Sequence, residues 1–194
     1  MSKGRLEAFS DGVVAILITI MVLELKVPHG PDLSALSGFL PVVLSYVLSF
    51  VFLGIYWNNH HHLFQAVKRV DGRVLWANLH LLFWLSLVPW ATAWMGENHD
   101  APVPVALYGG ILFLAGCAYY VLDHLLISLH GKESTLGRAI GEDTKGIVSV
   151  VLYAAGVGLA FLRPAIALAL YVTVAVIWLV PDRRIEKILT QIEE

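Results

Sequence analysis

Ser10 and Asp11 open the apolar run Gly12-Val13-Val14-Ala15-Ile16-Leu17-Ile18-Thr19-Ile20-Met21-Val22-Leu23. An ionisable group at the mouth of a wholly apolar helix is costly to hold in hydrocarbon, so it marks a candidate functional site. Two chemistries suit it. The carboxylate could attract a cation or pass a proton, or it could brace the helix by accepting hydrogen bonds from its neighbours. Arg5 lies six residues before Asp11, about 120° away around a helix, so a direct pair within the helix is not expected. Partners must come from other elements, and His60, His61, Asn59 and His80 are the candidates, because neutral imidazole or amide groups supply the donors a dry bundle requires. The triplet His60-His61-His62 invites a metal reading, but adjacent helical positions point about 100° apart and cannot all reach one ion. One turn from His60 stand Tyr56 and Phe64, neither a good ligand, so no metal site and no cofactor is expected. Asp123 beside His124 reads as a hydrogen bond inside a bundle.

The elements that must position these groups follow from composition. Of 194 residues, 58% are hydrophobic and 14% charged, and the mean hydropathy is +0.73. That leaves too little polar surface to cover a soluble globule, and the apolar residues fall in blocks about as long as a bilayer is thick. Six blocks are predicted, at 9–26, 38–62, 73–95, 103–129, 146–162 and 164–181. The fold class is therefore an all-α integral membrane protein with six transmembrane helices, and residues 1–194 form one domain. Polar Ser10-Asp11 within the first block, and the absence of a small-residue cleavage site after it, argue against a signal peptide. Arg163-Pro164 forces the last two helices into an antiparallel hairpin. The single cysteine, Cys117, has no internal disulfide partner and is expected in the core.

Sidedness follows from basic residues. Lys3, Arg5, Lys68, Arg69, Arg73, Lys132, Arg138, Lys145, Arg183, Arg184 and Lys187 fall on one side, eleven of the 13 Lys and Arg; only Lys26 and Arg163 fall on the other. By the positive-inside rule both termini are cytoplasmic, in a multi-pass protein of the cell membrane. Trp57, Trp76, Trp94 and Trp178, near block ends, read as interfacial anchors. The net charge of -2 comes without a basic cluster large enough for nucleic acid. Nucleophile-elbow, zinc-protease and phosphate-loop signatures are missing, so an enzyme is not expected.

Arg5, Phe9, Ser10 and Asp11 reproduce an RxxxFSD signature, Trp57-Asn58-Asn59-His60-His61 is similar to a WxxHH motif, and Asn78, Pro89 and Thr92 stand in matching places. In these residues the first half of the chain resembles the transmembrane protein 175 family of endolysosomal potassium channels and their bacterial and archaeal homologues. The second half resembles it in topology alone. The resemblance implies six helices per repeat, a central pore lined by the first helix and four repeats around one axis. For a chain with one repeat it therefore implies a homotetramer. It also implies a cluster bracing the pore helix, onto which Arg5, Phe9, Ser10, Asp11, Trp57, Asn59, His60, His61, Asn78 and His80 map.

Periodicity adds the pore candidates. Ile16, Ile20 and Leu23 share one helix face and rise roughly 10 Å along it, with Gly12 a turn below and Thr19 beside them. Rings of such side chains strip water from an ion and can gate by dewetting. The chain has no Thr-Val-Gly-Tyr-Gly loop, so potassium preference would come from partial dehydration at the aliphatic rings and from Thr19. The expected function is a potassium-preferring cation channel whose partners are potassium ions, the lipid bilayer and further copies of the chain. The alternative is a proton-permeable channel or a small secondary transporter using the Ser-Asp-His cluster as a proton relay.

Overall fold

The computed structural model describes residues 2–28, 31–131, 133–134, 136–137 and 144–179. Its helices are α1 (Lys3–Leu23), α2 (Leu40–Gln65), α3 (Gly72–Ser86), α4 (Val88–Glu97), α5 (Pro102–His130), α6 (Thr144–Ala160) and α7 (Pro164–Leu179), with a 3-10 segment, Leu33–Phe39, leading into α2. The all-helical fold and its six apolar spans match expectation. Four spans are long and apolar enough to cross a membrane, counting Gly72–Glu97 as one; α6 and α7 are apolar but shorter.

The third span departs from its prediction as a single helix. Pro89 has no N–H to offer the Leu85 carbonyl, so the α-helical ladder cannot continue through it. Leu87 turns instead, its N–H reaching the Trp84 carbonyl at 3.2 Å, and α4 restarts one residue later. The last two spans form the hairpin that Arg163-Pro164 dictates, with Pro164 opening α7, where a missing N–H costs nothing. Residues 180 and 181, the predicted end of that span, lie outside the described residues. So do Lys132, Arg138, Arg183, Arg184 and Lys187 of the sidedness argument.

The long helix α5 is the central post, packed by α3, α4, α6 and α7, while α1 lies against α2, α3 and α4. In a membrane, helices associate through close backbone approach more than through hydrophobicity, so small residues belong at their contacts. Ala115, Ala118, Ala160 and Ala167 are accordingly fully buried. Tyr171 of α7 fills a notch made by two glycines. An added Cβ would stand 1.9 Å from its Oη at Gly109 of α5 and 2.4 Å from its Cε1 at Gly156 of α6. Its hydroxyl donates to the Val105 carbonyl at 3.3 Å.

Each end of the bundle is tied. At one, His130 Nε2 accepts the backbone N–H groups of Lys68 and Arg69 at 3.2 and 3.4 Å, joining the α2–α3 link to the end of α5. Asp71 caps α3 by accepting the Val74 N–H at 2.9 Å, and that bond holds its carboxyl below the usual carboxylate range. At the other end Lys26 is bonded and ion-paired to Glu97, joining the segment after α1 to the end of α4.

Candidate functional site

Helix α1 has two faces. Leu6, Ser10, Val14, Leu17 and Met21, spaced three or four residues apart, are buried against the rest of the chain. On the other side Ile16 is 57%, Ile20 41% and Leu23 79% exposed, and an added Cβ at Gly12 would meet nothing within 4 Å. The predicted stripe is thus an apolar row that this chain leaves uncovered. Thr19 lies exposed beside it. Its hydroxyl shares its proton between the Ala15 and Ile16 carbonyls, at 3.0 and 2.9 Å, leaving the oxygen as an outward acceptor.

The core face is held by a chain of hydrogen bonds across three helices. Ser10 Oγ donates to the Leu6 carbonyl at 2.9 Å and accepts Asn78 Nδ2 of α3 at 2.9 Å. Asn78 Oδ1 is 2.8 Å from His60 Nε2 of α2. Because the Asn78 amide nitrogen is the donor toward Ser10, its oxygen accepts, and the proton on His60 resides at Nε2. All three side chains are buried, and each of these contacts is paired, so the network fixes the rotation of α1 against α2 and α3. A small cleft beside it brings Ser10, Asp11, Trp57 and His60 together with Val14, Leu81, Leu82 and Leu85.

Asp11 falls on the exposed side. It accepts Trp57 Nε1 of α2 at 3.0 Å, and Trp57 stacks on His61, with ring centroids 6.1 Å apart. His61 in turn pairs with Gln65 at 2.9 Å. The expected cluster therefore divides into a dry part, Ser10-Asn78-His60, and a wetter part, Asp11-Trp57-His61.

Four residues assigned to the cluster from sequence stand outside it. Asn59 Nδ2 donates to the Ile55 carbonyl of its own helix. His80 accepts Trp84 Nε1 within α3, on the outward side of that helix. Arg5 and Phe9 are exposed on α1, and the ion pair at the start of α1 runs between Lys3 and Glu7, not between Arg5 and Asp11. Two further expectations are corrected. His124 is exposed and bonded to the Tyr120 carbonyl at 2.9 Å, so it does not point into the bundle. Cys117 is only part-buried and lines a cavity. Of the tryptophans read as interfacial anchors, Trp57 is 45% exposed and bonded to Asp11, and Trp178 donates to Ser149 Oγ at 2.8 Å. Among the described residues, no group of three or more His, Cys, Asp or Glu is arranged to hold a metal ion.

Sequence reasoning missed a second polar chain. The hydroxyls of Thr92, Ser49 and Tyr108, 2.6 and 2.9 Å apart, join α4, α2 and α5 in the dry interior and end on the Val88 carbonyl at 2.7 Å. It also missed Lys26–Glu97, which sets opposite charges at the same end of the first and third spans. The Glu97 bond holds the Lys26 ammonium above its usual pKa.

The sequence profile described as "Endosomal/lysosomal potassium channel TMEM175" matches residues 5–89. A relative from Chryseobacterium sp. (strain P1-3), named as a potassium channel, is 55% identical over 191 residues, covering 98% of this chain and 100% of its own length. A potassium channel of Streptomyces collinus is 35% identical over 178 residues, 86% of each chain. The mouse protein named "Endosomal/lysosomal proton channel TMEM175" is 30% identical over 138 residues, 63% of this chain and 28% of that longer one. The crystal structure of a lysosomal potassium-selective channel TMEM175 homolog from Chamaesiphon minutus superposes with a TM-score of 0.81. It is 29% identical and covers 93% of this chain and 97% of that one.

Proposed function

Because the chain belongs to the TMEM175 family of ion channels, we propose that it is a potassium-preferring cation channel, assembled as a homotetramer with α1 lining a central pore. The observation that carries this reading is the two-faced α1: one side locked to α2 and α3 by Ser10, Asn78 and His60, the other an uncovered aliphatic row. Four such rows around an axis form rings at Ile16, Ile20 and Leu23. Ile16 is the tightest of them, since it lies deepest in the span. A narrow aliphatic ring excludes bulk water, so an ion crosses partly dehydrated, and potassium gives up its hydration more cheaply than smaller cations. The outward Thr19 oxygens offer a cation weak compensation. Both termini face the cytoplasm, which puts Lys26–Glu97 at the opposite mouth.

The chemistry of the cluster favours bracing over a proton relay. An indole N–H donates a hydrogen bond without giving up its proton, and an amide is equally poor at handing one on. Asp11 ends on Trp57, and His60 ends on Asn78. Neither titratable group has a titratable successor in these bonds. The bacterial relatives' names point the same way, toward potassium.

Reconstitution into planar bilayers tests the reading. Reversal potentials across potassium, sodium and proton gradients should show a modest potassium preference. Ile16→Asn should raise conductance and reduce that preference, because a polar ring is wetted more easily. Unchanged conductance and selectivity would remove Ile16 from the constriction, and a reversal potential that follows the proton gradient would move the assignment to proton permeation.

A further inference from the structure

Beside α2 a cavity of 390 Å³ is walled by α2, α5, α6 and the end of α7, and its Tyr56 also lines the cleft next to Ser10 and Asp11. That volume is in the range of small-molecule sites, most of which are apolar with a few convergent polar groups. Its floor is Phe52 and Tyr153, both buried, while Val121, Ile147 and Val151 on its rim are exposed. The opening is therefore through the side of the bundle, between helices long or apolar enough to lie in a membrane. What reaches such an opening is lipid.

The cavity is polarised along its length. At the start of α6, Lys145 holds its Nζ 5.8 Å above the Trp178 ring, and Trp178 lines the cavity. From Lys145 to Tyr153 along α6 is roughly 12 Å, and the walls over that distance are mainly aliphatic and aromatic. A cation at one end of an apolar slot complements an amphiphile with an anionic head and a hydrocarbon tail. We propose that this cavity takes one acyl chain of an anionic phospholipid between α2, α5 and α6, with the headgroup phosphate at Lys145. The site is separate from α1, and the proposal does not depend on which ion the protein conducts.

Gly116 supplies the test variant. A Cβ there would lie 3.8 Å from both Tyr56 Oη and Val150 Cγ2, an ordinary contact, and Gly116 lines the cavity, so a side chain added there takes up its space. Native mass spectrometry of the assembled protein in detergent, titrated with phosphatidylglycerol or phosphatidylcholine, should show retained phosphatidylglycerol in the wild type. Gly116→Leu should lose it with oligomer mass unchanged. Lys145→Gln should weaken it about fivefold, the factor one basic residue near a membrane surface contributes, and leave phosphatidylcholine unaffected. Cys117, the chain's single cysteine, lines the cavity and reports occupancy directly. Its alkylation by N-ethylmaleimide should slow as phosphatidylglycerol is added to wild type, and should not respond in Gly116→Leu. Three results would overturn the proposal: alkylation indifferent to phosphatidylglycerol; equal protection by phosphatidylcholine, which would mean a groove without charge recognition; or collapse of the oligomer in Gly116→Leu without bound lipid in the wild type, which would make the occupant a neighbouring copy.

Discussion

Ser10 and Asp11 are adjacent, yet the about 100° between consecutive helical positions sends one into the core and the other to the open side of α1. A hydroxyl can be buried if it gives and receives a bond, as Ser10 does; a carboxylate is far dearer to desolvate and stays where water reaches it. Asp11→Ala strips a bond from Trp57, which is 45% exposed, so water can replace the lost acceptor. Asn78→Ala instead leaves His60 without its partner in a dry site, at a cost of about 1–3 kcal/mol, while Ser10 keeps its bond to the Leu6 carbonyl. Thermal melting of the assembled protein should therefore fall much further for Asn78→Ala than for Asp11→Ala. Bracing further requires that Asp11→Asn, which keeps an oxygen for Trp57, retain more potassium flux than Asp11→Ala. Equal loss of flux in both, with melting unchanged, would show that the charge itself is needed and would restore the proton-relay alternative. Ser10, His60 and Asn78 are legible in the sequence because the signature and its matching positions carry them. The places of Asn59 and His80 are not, because spacing tells which residues share a face and not which way that face turns. Asn59 is turned to a carbonyl of its own helix, and His80 to Trp84.

At the scale of elements, the block edges in sequence fall within three residues of the described helix ends except at the start of α1, which begins at Lys3, six residues before the predicted 9, because its first turns are polar and hydropathy tracks only the apolar part. The break at Leu87 is hidden because Pro89 sits in an otherwise continuous apolar run, and hydropathy does not register a lost hydrogen bond. The notch around Tyr171 is hidden too, being a match of glycines from two helices far apart in sequence. Gly109→Ala and Gly156→Ala should each destabilise the α5–α6–α7 joint by about 1–3 kcal/mol, the usual cost of overpacking. Tyr171→Leu should cost less in a Gly109→Ala background than in the wild type, because the same ring is removed from both clashes. Additive melting shifts would mean that the joint rearranges and the notch is not a constraint. The Lys26–Glu97 tie makes its own prediction for α1. With the lysine pKa raised by Glu97, the tie is complete at neutral pH, and on the alkaline side it is lost only as pH climbs through that raised value, above the usual 10.5. Lys26→Gln should speed hydrogen exchange at the amides from Val22 to Val27 relative to the wild type at the same neutral pH, and equal exchange would mean that the tie does not order this segment.

The chain buries only one face of its own first helix, through Leu6, Ser10, Val14, Leu17 and Met21. Outward lie Ile16, Ile20 and Leu23, while Asp11, about 140° around the helix from Ile16, is exposed on the flank beside Trp57. If that face met lipid, the aliphatic row would be content, but the chain would leave an ion no path beside α1. If it met water alone, the row would be an exposed apolar patch. The proposed pore, shared with other copies, would cover the row and give an ion its path, because the rings would gather on the axis. Six spans in one chain are legible from composition; their assembly is not, because a face left for a partner and a face left for lipid read alike in a single sequence. Cysteine cross-linking distinguishes the two faces. In a Cys117→Ser background, Ile20→Cys should give disulfide-linked dimers on mild oxidation, because neighbouring copies around a narrow axis bring the same position within bonding reach. Leu17→Cys, on the buried face, should remain monomeric under the same treatment. Native mass spectrometry of the unoxidised protein should give four copies of the 21.4 kDa chain. Equal cross-linking at both positions, or a monomer that still conducts potassium, would break the pore assignment for α1.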